Sequence, residues 1–296
     1  ILAKVRGIQS HGMDVKSVKQ GDRAAVNLSG IDTNRIFRGS ELSQPGKLKS
    51  NKKFTAHIQL SSNMKKELKQ RQRVRVHLGT MEVLARVYIP GQKKLPAGSN
   101  ENVILDLEKR IVAASGDRFV LRTYSPMTTI GGGTVLTAFI PKGVKVNAWV
   151  SALDVDPVQR FGQLVDSFST RPHTIRAWAL LNQCTNETVC KWITKLNLQT
   201  TKDDIVFTND ILDKSKKIIF NSLDTFHQQN PLRKSIGMDI LQQVSGLSSD
   251  WLEEVVALMK KEGIAKSEES GVESVSYTHL RAHETLRYLV CRLLLE

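Results

Sequence analysis

The spacing of apolar residues changes once along this chain, near residue 140, and that change limits what it can fold into. Up to that point apolar and polar residues alternate in short stretches. Ala24, Val26 and Leu28 alternate after a Gly21-Asp22-Arg23 turn, and Val74, Val76 and Leu78 alternate with Arg73, Arg75 and His77. Val103, Leu105 and Leu107 follow a loop from Pro96 to Asn100, and Gly116-Asp117-Arg118 repeats the earlier turn ahead of Phe119-Val120-Leu121. A period of two belongs to strands with one buried face. Many short strands with Gly/Pro turns suggest β-barrels. A break at Gln44-Pro45-Gly46 divides this half into two barrels. The chain opens at Ile1, without a Met and inside an alternating pattern, so it reads as a fragment with the first barrel incomplete at its front.

Beyond Pro141 the apolar residues take helical spacing, as in Phe161, Leu164, Val165 and Phe168, and again in Trp178, Leu181 and Cys184. Asn186 is expected to cap a helix from Glu187 to about Leu196, and Ile205-Val206-Phe207 reads as a short strand. The order then recurs. Ile218 to Phe226 and Met238 to Val244 are helical, and Ser248-Ser249-Asp250 leads into a helix from Trp251 to Lys261 that Gly263 stops. Two helix–helix–helix–strand units of this kind suggest tandem winged-helix modules. The expected fold class is multi-domain β + α: two β-barrels, the first incomplete, followed by tandem winged helices. Its divisions are 1–48 and 49–140 for the barrels and 141–214 and 215–275 for the winged helices. Residues 276–296 look foreign to this order and resemble a translated artefact at the end of a reading frame; the other reading is an amphipathic helix. No function is drawn from them.

Composition enters through charge. The chain has 43 Lys/Arg against 29 Asp/Glu, a net charge of +14. Residues 1–140 hold 24 basic and 10 acidic residues, whereas residues 141–296 hold 19 of each. The whole excess lies in the β half, which points that half at a polyanion; a basic surface kept for solubility is the alternative. The densest stretch holds Lys47, Lys49, Lys52, Lys53, Lys65, Lys66, Lys69, Arg71, Arg73 and Arg75 against the single acid Glu67. Alternation puts Arg73, Arg75 and His77 on one strand face, aimed at phosphates. Aromatics for stacking bases are scarce nearby, only Phe54 and Tyr88, so a structured RNA backbone fits better than single strands.

Other signals are weak. An apolar content of 40% excludes a wholly disordered chain. No apolar run reaches the roughly 18 residues needed to cross a bilayer, so no membrane partner is expected. Three cysteines make no disulfide framework, which reads as cytoplasmic. Ile130-Gly131-Gly132-Gly133-Thr134 lacks the Gly-Lys-Ser/Thr ending of a phosphate loop and reads as a bulged strand or close backbone crossing. Cys184 and Cys190 have no metal-ligand spacing and read as core residues, and His227 reads as a structural residue at a helix end. No catalytic constellation and no metal site stand out.

Several stretches carry a resemblance. Val5 to His11, then Gly21 to Gly30, then Arg38-Gly39, resemble the second domain of translational GTPases related to elongation factor Tu. Val74 to Val87 and Gly116 to Leu136 resemble the third domain of the bacterial selenocysteine-specific elongation factor. Leu223 to Leu232 resembles the start of a winged-helix repeat in its C-terminal extension. The likeness runs over roughly residues 1–270. It implies translation-factor β-barrels, selenocysteinyl-tRNA and the ribosome as partners, and a monomer. GTP and magnesium would belong to an absent GTPase domain, so no enzyme activity and no cofactor are expected on this chain. The selenoprotein mRNA hairpin would be bound by an absent last winged helix. Arg23 would map to the arginine that helps form the selenocysteine pocket, where a guanidinium suits an anionic selenolate better than an uncharged serine; its other reading is a turn-capping surface arginine. The basic residues Lys47 to Arg75 and His77 would contact tRNA backbone. A reading of another class is a winged-helix nucleic-acid-binding regulator with a β-barrel effector domain. That reading needs a basic recognition helix, and residues 186–196 offer only Lys191 and Lys195.

Overall fold

A computed structural model describes the chain except for residues 1, 20, 47, 231, 232, 234, 269, 270 and 275–296. The tail at 276–296, and Lys47 among the expected tRNA contacts, therefore lie outside the described residues. The chain divides into two compact units, Ile1–Phe139 and Ile140–Glu296.

The first unit opens with strands β1 (Lys4–Ser10), β2 (Met13–Val15) and β3 (Ala25–Ser29), which form an open antiparallel sheet in the order β2-β1-β3. None of the described residues before Phe54 is buried. Then follow β4 (Ser50–Leu60), β5 (Leu68–Lys69), β6 (Arg73–Leu78), β7 (Met81–Tyr88), β8 (Lys94–Leu95), β9 (Asn100–Val112), β10 (Arg118–Thr123) and β11 (Thr129–Thr137). Six of these close into a barrel in the order β10-β11-β4-β9-β7-β6. Closure removes the sheet edges and surrounds one apolar core. Phe54, Ala56 and Ile58 of β4, Val74 and Val76 of β6, Ala85 and Val87 of β7, and Val103 and Leu105 of β9 are fully enclosed in it. Each valine, leucine, isoleucine or phenylalanine among them contributes roughly 1.5–3 kcal/mol by leaving water.

The glycine run lies within β11, between β10 and β4. A Cβ on Gly133 would overlap the carbonyl oxygen of His57 and approach the Phe119 ring at 2.8 Å, and one on Gly132 would sit 2.7 Å from the Phe119 carbonyl oxygen. The run is a close-packed strand, and the register of β10 against β11 shifts beside it, between Leu121 and Arg122.

Two Gly-Asp-Arg turns share one geometry. Gly21 and Gly116 take φ of +97° and +93°. The carboxylates of Asp22 and Asp117 each accept the backbone N–H three residues earlier, from Lys19 and Ala114, both at 2.7 Å. The aspartate caps the turn and the arginine after it is left outside.

The second unit holds α1 (Val146–Ala152), α2 (Pro157–Ser167), α3 (Ile175–Asn182), α4 (Asn186–Lys195), β12 (Gln199–Thr200), β13 (Val206–Phe207), α5 (Asn209–Gln229), α6 (Met238–Ser245), α7 (Ser249–Lys261), β14 (Ala265–Glu268) and β15 (Gly271–Ser274). Helices α2–α4 precede the β12–β13 hairpin, and Thr174, between α2 and α3, bridges to Ile205. Helices α5–α7 precede the β14–β15 hairpin, and Ile236, between α5 and α6, bridges to Val272. Three helices, a bridging residue after the first and a terminal hairpin make the winged-helix order, present twice. Phe161 and Phe168 pack edge-on to Trp178 in the first module, and the Trp251 indole N–H donates to Ser215 Oγ at 2.8 Å in the second.

Three local expectations change. The cap of α4 is Thr185, whose Oγ1 accepts the Thr188 N–H at 3.2 Å, and Asn186 is the first helical residue. Cys190 is exposed: the inward positions of α4 are Val189 and Ile193, and Cys190 falls beside them. Helix α5 also starts nine residues before Ile218, because Thr208 caps it and its first turns are largely polar.

Candidate nucleic-acid interface

Strand β6 realises the alternation of its sequence. Val74, Val76 and Leu78 are buried, whereas Arg73, Arg75 and His77 stand on the outer face. The strands beside it extend that face. Arg73 lies opposite Arg86 of β7, Arg86 opposite Asp106 of β9, and Asp106 opposite Lys53 of β4. One row thus crosses four strands, about 14 Å at the usual strand spacing. On the other side Arg122 of β10 pairs with Arg75. Lys52 and Lys53 are both exposed although adjacent, because β4 is bulged against β9 between Asn51 and Lys53.

These cations are not free. Arg73 donates from Nε and Nη2 to the two carboxylate oxygens of Glu108, both at 2.7 Å. Arg75 donates to Glu82, His77 Nδ1 lies 4.0 Å from the same carboxylate, and Lys53 pairs with Asp106 at 3.3 Å. The Arg75 bond holds the Glu82 carboxyl below the usual carboxylate range, and the Arg73 bond does the same for Glu108. The Tyr124 ring lies 4.6 Å from the Arg73 guanidinium carbon and 5.3 Å from that of Arg75. Arg71, at φ +62°, places its guanidinium 5.7 Å from the Tyr88 ring.

A cleft of about 630 Å³ is lined by Lys65 and Lys66 together with Arg73, Gln72, Tyr124 and Thr128. Lys69 is exposed on β5, and Lys49 lies just before β4 and outside the cleft lining. A second groove, about 850 Å³, has His57, Gln59, Arg118 and Gly131 to Gly133 in its walls. Sequence reasoning missed Arg86, Arg118, Arg122 and Tyr124. The alternation in β7 and β10 was the available signal, but which strand neighbours β6 was not. Arg23 is exposed. Its carbonyl accepts Ser10 Oγ at 3.0 Å, and its guanidinium has no polar partner among the described residues.

The second unit has the opposite character. A cleft of about 470 Å³ is walled by Asp203, Asp250, Glu253 and Glu254. Burial, then the Asp203 charge, pushes the Glu254 carboxyl up. Three of these acids sit on α7, the third helix of its module, whose basic residues Lys260 and Lys261 are confined to its last turn. Among the described residues no helix is long and apolar enough to cross a membrane, and no His/Cys/Asp/Glu group is placed to hold a metal ion.

A closed six-stranded barrel and winged-helix modules make a multi-domain β + α fold. Residues 55–142 match the family model for the β-barrel domain of selenocysteine-specific elongation factors. A selenocysteine-specific elongation factor of Desulfomicrobium baculatum is 26% identical over 252 residues, which cover 85% of this chain and 37% of that protein. One from Methanocaldococcus jannaschii is 30% identical over 142 residues, 43% of this chain and 30% of that protein. The crystal structure of a bacterial selenocysteine-specific elongation factor shares the fold, with a TM-score of 0.74 at 17% identity over 99% of this chain and 46% of that one. The barrel matches that family's model, and the likeness to selenocysteine-specific elongation factors runs over most of the chain. It spans well under half the length of the relatives it matches.

Proposed function

We propose that the chain is the tRNA-holding part of a selenocysteine-specific elongation factor, which delivers selenocysteinyl-tRNA to the ribosome at recoded UGA codons. The observation that carries this is the coincidence of a barrel matching the family's model with a row holding the cations Lys53, Arg86 and Arg73, and with Arg75 two residues along β6, on its outer face. Phosphate contacts of this kind supply affinity and register. Arg23 would contribute to the selenocysteine pocket. Asp22 already caps the turn, so the Arg23 guanidinium is left to bind an anionic side chain. The winged helices, neutral overall and acidic along α7, would act as a spacer toward an mRNA reader outside these residues, with the selenoprotein hairpin as its ligand.

GTP and magnesium would bind in a GTPase domain outside these residues. The described residues do not fit them: Gly131 to Gly133 continue as a strand instead of opening a helix, and no carboxylate cluster is placed for a metal. Filter binding of this chain to a selenocysteine tRNA transcript tests the reading. Saturable binding that equimolar polyuridylate competes poorly is expected. No binding at low salt, or equal competition by the single strand, overturns it.

A further inference from the structure

The outer face of β6 carries arginines that are already paired with carboxylates. A carboxylate presents two oxygens and one negative charge to a guanidinium fork, and a phosphodiester presents the same. We propose that Glu108 and Glu82 are exchangeable counter-ions of this site: RNA phosphates take their places on Arg73 and Arg75 while both carboxylates swing into water. This rests on the reading of the face as RNA-binding.

Three observations carry it. Both carboxylates lie on the outer surface, Glu108 with 39% and Glu82 with 43% of its side chain exposed, so leaving costs little more than a rotamer change. The arginines are positioned independently of them: the Tyr124 ring lies against both guanidiniums, and Arg75 Nε donates to the Tyr124 carbonyl at 3.4 Å. The forks therefore stay aimed after the carboxylates leave. With the carboxylates in place the four side chains sum to no net charge, so a lone anion gains little by displacing one of them. A polyanion that reaches Arg73 and Arg75 together makes both exchanges at one translational cost. The two glutamates thus select for a phosphate array over isolated anions.

Glu82→Gln/Glu108→Gln keeps the shape of the site and removes its internal charge. Filter binding of the whole chain to the unmodified selenocysteine tRNA transcript is expected to tighten about three- to tenfold, the range set by two exposed ion pairs. A charge-matched control in the second unit, Asp213→Asn/Glu253→Gln, is expected to change binding less than about twofold. The gain must also vanish in an Arg73→Ala/Arg75→Ala background, since coupling is the signature of a direct exchange. Unchanged or weaker binding by the glutamine pair overturns the exchange and makes the carboxylates orienting groups. Equal tightening by the control reduces the effect to net charge and overturns it too. If Arg73→Ala/Arg75→Ala alone leaves tRNA binding intact, the RNA-binding reading of the face fails, and the exchange with it. Circular-dichroism melts check folding; should the glutamine pair melt early, Glu108→Gln alone serves the same comparison.

Discussion

At the scale of single residues, Arg23 and Arg118 are the instructive pair. Both follow a Gly-Asp turn of one geometry, so the turn alone does not make a pocket; the chemistry of Arg23 depends on what faces it. In the full-length protein, Arg23→Ala is expected to weaken selenocysteinyl-tRNA binding about tenfold or more, the scale of one lost hydrogen bond to a charged group. Seryl-tRNA binding should change less than about threefold. Equal losses for both tRNAs, measured by protection of the aminoacyl ester from hydrolysis, would refute a pocket role. Residue type alone marked Arg73, Arg75 and His77 as outward-facing, because alternation beside Val74 and Val76 leaves one choice of face. It did not mark Glu82 and Glu108 as their partners, nor Tyr124 as the ring against which two guanidiniums rest. Those identities come from neighbouring strands.

Elements show why some boundaries were legible and others were not. Strand β6 was readable because every second residue is apolar. The bulge in β4 was not, since Lys52-Lys53 breaks alternation without any turn residue to explain it. Thr185 and Asn186 are both good capping residues, and the choice fell to Thr185 because its hydroxyl reaches the Thr188 N–H. The glycine run of β11 is an element-scale device: three residues without a Cβ let β11 lie close against β4 and β10. Gly133→Ala is expected to destabilise the barrel by about 3 kcal/mol, the upper range for overpacking, because the added methyl meets backbone on the β4 side. A thermal melt unchanged within about 0.5 kcal/mol would show that the strands part without strain.

On the scale of the whole molecule, charge and fold divide together. The barrel half holds the entire excess of +14, while the winged-helix half is neutral and has an acidic cleft between Asp203 and the acids of α7. Affinity for tRNA is therefore expected to fall steeply with salt, about a thousandfold between roughly 50 and 200 mM if six or so phosphates are engaged. A flat profile in salt titration would remove the backbone-binding reading. By itself the amino-acid sequence determined the switch of period near residue 140, the paired Gly-Asp-Arg turns, the family likeness and the partition of charge. Each of these is a property of residue order and is set within a few positions. Tertiary structure alone decided which cations share a row and which are already neutralised. Barrel closure fixes the register of β4, β9, β7, β6 and β10, and Arg73 meets Glu108 across 35 positions of chain only because of it. The pairing energy of an ion lies in its neighbour across the sheet, and no local pattern names that neighbour.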